Sequence, residues 1–141
     1  MSGPRAPGYS GKPLASKLGL KDGQRVSLID APPEVRQTLE TAGHDIAWKR
    51  FPAADLDCIV LFTPGRRALE TGFAKAARAL VPSGMLWVAW PKKTSGVATD
   101  LTEDRVRAHG LSCGLVDVKV CAVSDVWSGL KFVRRRAASA K

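Results

Sequence analysis

Apolar residues along this chain follow two rhythms. Short solid runs, "RVSLID" (25–30), "LDCIVLFT" (56–63) and "MLWVAW" (85–90), read as strands covered on both faces. Between them the apolar positions recur at helical spacing. Val35, Leu39 and Ala42 fall on one face of "PPEVRQTLETAG", with Pro33 near its start and Gly43 at its end. Leu69, Phe73, Ala76, Ala77 and Leu80 do the same after Thr63 and Pro64, which are expected to cap and open that helix. Gly72 weakens it by roughly 1 kcal/mol relative to alanine, and "VPSG" is expected to end it.

The remaining elements are shorter. "KPLASKLG" predicts a brief helix between Pro13 and Gly19, followed by a turn at "LKDGQ". "DIAWKRF" (45–51) alternates and predicts a second strand. Thr102 is an N-cap, Glu103 and Asp104 suit the positive end of a helix, and Leu101 and Val106 have staple spacing; Gly110 is expected to stop that helix. "LVDVKVCAV" (115–123) and "LKFVRR" (130–135) predict two closing strands, too close for a helical crossover and so antiparallel to each other. The order β-α-β-β-α-β-α-β-β predicts one α/β domain of three layers, Rossmann-like, with a mostly parallel sheet and one antiparallel C-terminal strand. It is expected over residues 13–135, between an irregular basic segment, 1–12, and a basic tail, 136–141.

Charge changes this picture at the ends. The chain of 141 residues has a net charge of +9. Four cations lie in 1–21 and four in 134–141, where there are no acids, so the body is nearly neutral. Basic ends can bind nucleic acid non-specifically, or simply keep a protein in solution. The longest apolar runs fall far short of the ~20 residues of a membrane helix, and the N-terminus lacks the apolar core of a signal peptide. No membrane association and a cytoplasmic location are the expectation. Cys58, Cys113 and Cys121 show no CxxC spacing and are expected as reduced, buried thiols. His44 and His109 are isolated, which argues against a metal site.

"GLKDGQRVSLID" resembles the segment that leads into the first motif of class I methyltransferases. "ARALVPSGMLWVAW" resembles the turn before one of that family's later strands. The resemblance covers about 18–135 and implies a shortened methyltransferase-like fold. "GYSGKPLASKLGLK", "WPKKTSGVATDLTED" and "GLVDVKVCAVSDVWSGLK" together resemble a family of small bacterial proteins known only as a domain of unknown function. That resemblance spans nearly the whole chain and implies a fold related to the methyltransferases, with no particular activity.

The chain departs from the methyltransferase pattern where the cofactor binds. The first strand is followed by "IDAPPEV", with no glycine from Asp30 to Arg36. Pro32 and Pro33 remove two N–H donors from an anion-binding helix start, and Asp30 puts negative charge where a carboxylate would sit. The connection after the second strand is too short for a helix. No cofactor is expected, S-adenosylmethionine and NAD included.

Ligands of open α/β sheets bind beyond the carboxyl ends of the strands. The first strand brings Asp30 there, the third Arg66 and Arg67, and the fourth Lys92, Lys93, Thr94, Ser95 and Asp100. The fifth brings Asp125 and Trp127. Together they can form a pocket for an anionic or phosphorylated small molecule, with lysine charge, hydroxyl hydrogen bonds and an indole face; the same residues are also what a solvated loop edge holds. The spacing shows no catalytic triad and no carboxylate pair. The expected function is therefore non-catalytic: binding of an anionic ligand or a protein partner, or regulation, on a degenerate methyltransferase-like fold. The alternatives are a nucleic-acid-associated protein acting through its basic ends, and an atypical S-adenosylmethionine-dependent methyltransferase.

Overall fold

A computed structural model describes residues 13–135. The two basic end segments, 1–12 and 136–141, lie outside the described residues. The chain runs α1 (Leu14–Leu18), β1 (Arg25–Ile29), α2 (Pro33–Glu40), β2 (Ala47–Trp48), β3 (Leu56–Phe62), α3 (Arg66–Arg78), β4 (Leu80–Pro91), α4 (Glu103–Ser112), β5 (Leu115–Ala122) and β6 (Trp127–Arg134). A 3-10 turn, Lys93–Ser95, follows β4.

The strands form one sheet in the order β2-β1-β3-β4-β6-β5. β1, β2, β3 and β4 are parallel, and β6 runs antiparallel to both β4 and β5. β5 therefore points the same way as β4. The carboxyl ends of β1 to β5 share one edge with the start of β6, where Trp127 pairs with Pro91.

Alternation explains the solid apolar runs. Cys58, Val60 and Phe62 of β3, with Trp87 and Ala89 of β4, enter a core closed by Ala15 and Leu18 of α1 and Val35 and Leu39 of α2. Ile59 and Leu61, with Leu86, Val88 and Trp90, enter the opposite core beneath Leu69 and Phe73 of α3 and Val106 of α4. Burying one such side chain stabilises the fold by ~1.5–3 kcal/mol relative to leaving it in water. Trp87 is wholly buried, and its indole Nε1 donates to the carbonyl of Leu18 at 2.9 Å, which pins α1 to the sheet. Gly19, at φ 80°, ends that helix in the left-handed region that favours glycine.

Several boundaries differ from the expectation. Thr63 does not cap α3. It is fully buried and its hydroxyl donates to the carbonyl of Ala89 at 2.8 Å, so Gly65 takes the cap position. "VPSG" does not end a helix; it opens β4, where the pairing with β3 shifts between Leu56↔Leu80 and Cys58↔Met85. β2 is only two residues long, because its backbone bonding to β1 ends where the Lys49 N–H donates to Val26, before the turn at Phe51 and Pro52. β6 begins at Trp127, so part of the expected "SDVWSG" loop is strand. Gly110 does not stop α4, which runs on to Ser112. Its small size serves packing instead: a Cβ there would run into the ring of Phe132.

The connection after β2 holds no helix, as its length predicted. It is clasped by Arg25, whose guanidinium donates to the carbonyls of Asp55 and Ala54 at 3.1 and 3.0 Å. Among the described residues no helix is long and apolar enough to cross a membrane.

Candidate functional site

The loop after β4 is built from its own hydrogen bonds outward. The Lys92 N–H donates to the carbonyl of Val126 at 2.7 Å, tying the loop's first residue to the β5–β6 turn. Ser95 closes the 3-10 turn: its hydroxyl donates to the carbonyl of Lys92 at 2.7 Å and accepts the Val97 N–H at 3.1 Å. Farther on, the Thr99 hydroxyl donates to the carbonyl of Pro64 at 2.8 Å. Asp100 Oδ1 accepts the Arg66 N–H at 2.8 Å. The loop is thus strapped across the N-terminus of α3, and Thr102 caps α4 by accepting the Arg105 N–H at 3.2 Å.

Under this loop lies a cavity of about 570 Å³. Lys92, Lys93 and Thr94 line it together with the apolar Trp90, Val97 and Leu101, and with Ser128 from β6. This volume suits a small molecule. Glu103 also reaches the cavity, but its carboxylate is engaged by Arg107. Neither Lys92 nor Lys93 has an ion-pair partner among the described residues.

Of the ten residues expected at the edge, three therefore meet in one cavity: Lys92, Lys93 and Thr94. Ser95 and Asp100 belong to the loop's own scaffold and to the α3 cap. Arg66 and Arg67 are exposed on α3 outside both cavities, with Arg66 paired to Glu70 at 3.4 Å. Asp125 is exposed and lines neither. Trp127 turns to the other face of the sheet and packs edge-on against Phe62, with ring centroids 5.1 Å apart. It offers this cavity no stacking face.

Asp30 lies elsewhere on the edge, in a second cavity of about 590 Å³ at the ends of β1 and β2. Its backbone sits at φ 59°, in a region that few residues other than glycine adopt. Arg36, Trp48, Lys49, Arg50 and Phe51 share that cavity. The sequence reading missed these residues by passing over the end of the second strand. Parallel pairing of β2 with β1, Val26 opposite Trp48, carries Lys49 and Arg50 beside the first-strand turn. Two adjacent cations at the end of a short strand were the available signal.

The thiols divide by burial. Burial pushes the Cys58 thiol up to about 12, and Cys121, half-buried, is also raised. Cys113 was expected to be buried but is exposed at the end of α4, 3.7 Å from His109 Nε2. His109 otherwise packs edge-on against Phe73. Among the described residues no group of three or more His, Cys, Asp or Glu is placed to hold a metal ion.

Comparison with solved structures settles the fold. An S-adenosylmethionine-dependent methyltransferase from Aquifex aeolicus superposes with a TM-score of 0.62 at 14% identity, over 84% of this chain and 86% of that one. The fold is that of the S-adenosylmethionine-dependent methyltransferases. The 1,6-didemethyltoxoflavin-N1-methyltransferase of Burkholderia thailandensis matches with a TM-score of 0.56 at 13% identity, over 87% of this chain and 75% of the other. A TehB-like methyltransferase from Corynebacterium glutamicum gives 0.52 at 12% identity, over 86% and 85%. At these identities the likeness is one of fold. No family model matches the chain, and no curated protein matches it in sequence.

Proposed function

We propose that this protein is a non-catalytic binding protein for an anionic small molecule, built on a methyltransferase-like fold. The observation that carries the reading is the cavity under the β4 loop. Two lysines without carboxylate partners among the described residues line it with the apolar Trp90, Val97 and Leu101, and Thr94 and Ser128 supply hydroxyls. A phosphate or carboxylate there gains charge-assisted hydrogen bonds, and the apolar lining accepts the rest of the ligand. The carboxylate that lines the cavity, Glu103, is held by Arg107 and is not a free base, which favours binding over turnover.

The likeness in fold favours a second reading, an atypical methyltransferase. The first-strand turn argues against it. Pro32 takes the cap position of α2 and Pro33 its first turn, so two N–H donors are missing where S-adenosylmethionine's carboxylate would need them. Asp30 adds like charge at the same place. The residues present do not fit that cofactor.

A thermal-shift panel of phosphorylated metabolites, nucleotides and S-adenosylmethionine tests the proposal. A ligand that raises the midpoint of the natural chain and loses its effect in Lys92→Ala/Lys93→Ala supports it. If the panel yields only S-adenosylmethionine, or only hits unaffected by the double change, the proposal fails.

A further inference from the structure

The second cavity has a composition of its own. Asp30, Arg36, Lys49 and Arg50 bring three cations against one acid to a cleft of about 590 Å³, and Trp48 and Phe51 supply aromatic walls. Lys49 and Arg50 have no ion-pair partner among the described residues. Arg36 is only loosely held. Its guanidinium lies 3.5 Å from Glu40 and 3.3 Å from the carbonyl of Leu28, both long, and its side chain is half exposed.

The position matters as much as the charge. In dinucleotide-binding α/β folds, an acid about 20 residues beyond the first-strand turn holds the ribose hydroxyls, and a cation there accepts a ribose-borne phosphate instead. Lys49 and Arg50 stand at that distance from Asp30, at the end of the strand paired with β1. The charge of the place is inverted. A second negative group has no comparable seat, because the α2 start offers no N–H at Pro32 or Pro33. The cleft therefore suits a single phosphate and excludes a pyrophosphate laid on the helix start.

We propose that the cleft between the ends of β1 and β2 binds a nucleoside monophosphate, its phosphate on Arg36, Lys49 and Arg50 and its base against Trp48 and Phe51. A phosphomonoester carries about −1.5 to −2 charge at neutral pH. That balances the net two positive charges of the four ionisable side chains. Trp48 and Phe51 pack into the two opposite cores and are only partly buried, so the base gains from stacking on the part of each ring left uncovered at the cleft. This site is separate from the one under the β4 loop, with β3 lying between them in the sheet. It stands or falls independently of Lys92 and Lys93.

The test is a titration of the full chain with adenosine monophosphate, followed by thermal midpoint and by calorimetry. Adenosine and ribose 5-phosphate serve as the halves of the ligand. The expected result is saturable binding with a raised midpoint. Each half should bind at least about tenfold more weakly than the whole, as the loss of a stacked base or of a charged contact implies. The cleft is read by itself in the Lys92→Ala/Lys93→Ala background, which removes the proposed anion site under the β4 loop: there a one-to-one shift should persist, and adding Lys49→Ala/Arg50→Ala should abolish it. Arg50 is exposed, so Arg50→Ala alone keeps the fold and should weaken binding about tenfold even if the double variant does not fold. Absence of binding, binding insensitive to Lys49 and Arg50, or ribose 5-phosphate matching the whole nucleotide would each overturn the assignment.

Discussion

The carboxylate of Asp100 accepts the backbone N–H of Arg66 at 2.8 Å, across 34 residues of sequence. Gly65, the residue at the cap position of α3, has no side chain to do this, and a distant loop supplies the missing acceptor. An expected ligand group is thereby spent on a helix end, and the loop after β4 is fixed in place over its cavity. Asp100→Ala should cost about 1 kcal/mol of stability, the usual loss for a side-chain cap, while Asp100→Asn should keep most of it. Denaturant melts of the two variants check this, and equal losses would show that the carbonyl-type acceptor is not the feature that matters.

Gly110 and Phe132 make a second prediction. Alanine in a helix interior normally gains about 1 kcal/mol over glycine. Here the added methyl would strike the ring of Phe132, itself packed edge-on against Phe73 at 5.2 Å. Gly110→Ala should therefore destabilise by ~1–3 kcal/mol. Adding Phe132→Leu should recover part of that loss, a coupling that a double-mutant cycle reads directly.

The acid side of stability should depend on Asp117. Its carboxylate accepts from Arg107 Nε at 2.8 Å, and this hydrogen bond holds it below the usual carboxylate range. A carboxylate lowered on folding contributes stability above its unfolded value, near 4, and loses that contribution as pH falls through its folded value. Asp117→Asn should flatten the decline in stability below about pH 4, at a cost of about 1 kcal/mol at pH 7. Urea midpoints of both proteins between pH 2.5 and 7 test the sign; parallel curves would remove Asp117 from the account.

Thiol labelling should separate the cysteines. Cys113 is exposed, whereas Cys58 is wholly buried with its thiol pushed up to about 12. At pH 8 a disulfide reagent should modify Cys113 within minutes and leave Cys58 untouched until the chain unfolds. Equal rates for the two in the native protein would contradict the buried position of β3.

Much of the fold was legible because burial leaves a periodic trace. The unbroken runs of β3 and of Met85–Trp90 announced strands covered on both faces, and Leu69, Phe73 and Ala76 announced the helix above them. Less legible were features set by contacts distant in sequence. Thr63 has the chemistry of a cap, yet its hydroxyl goes to Ala89, and Asp100 caps α3 in its place. Trp127 looked available to a ligand, yet its ring rests on Phe62. The composition of "PKKTSG" marks the loop after β4, and there Lys92, Lys93 and Thr94 line one cavity, as the proposed function requires. The second cavity stayed hidden because Lys49 and Arg50 acquire meaning only once β2 pairs with β1.

On the function proposed above, the carboxyl edge of this methyltransferase-like sheet seats an anion under the β4 loop and not S-adenosylmethionine at the first-strand turn. Residue-resolved NMR titration tests it most directly, with inorganic phosphate and S-adenosylmethionine as the two probes. Phosphate should move the amides of Lys92, Lys93 and Thr94, and S-adenosylmethionine should leave those of Asp30, Ala31, Glu34 and Val35 unmoved. Saturable shifts at the Asp30–Val35 turn with S-adenosylmethionine, and none at Lys92–Thr94 with phosphate, would contradict it.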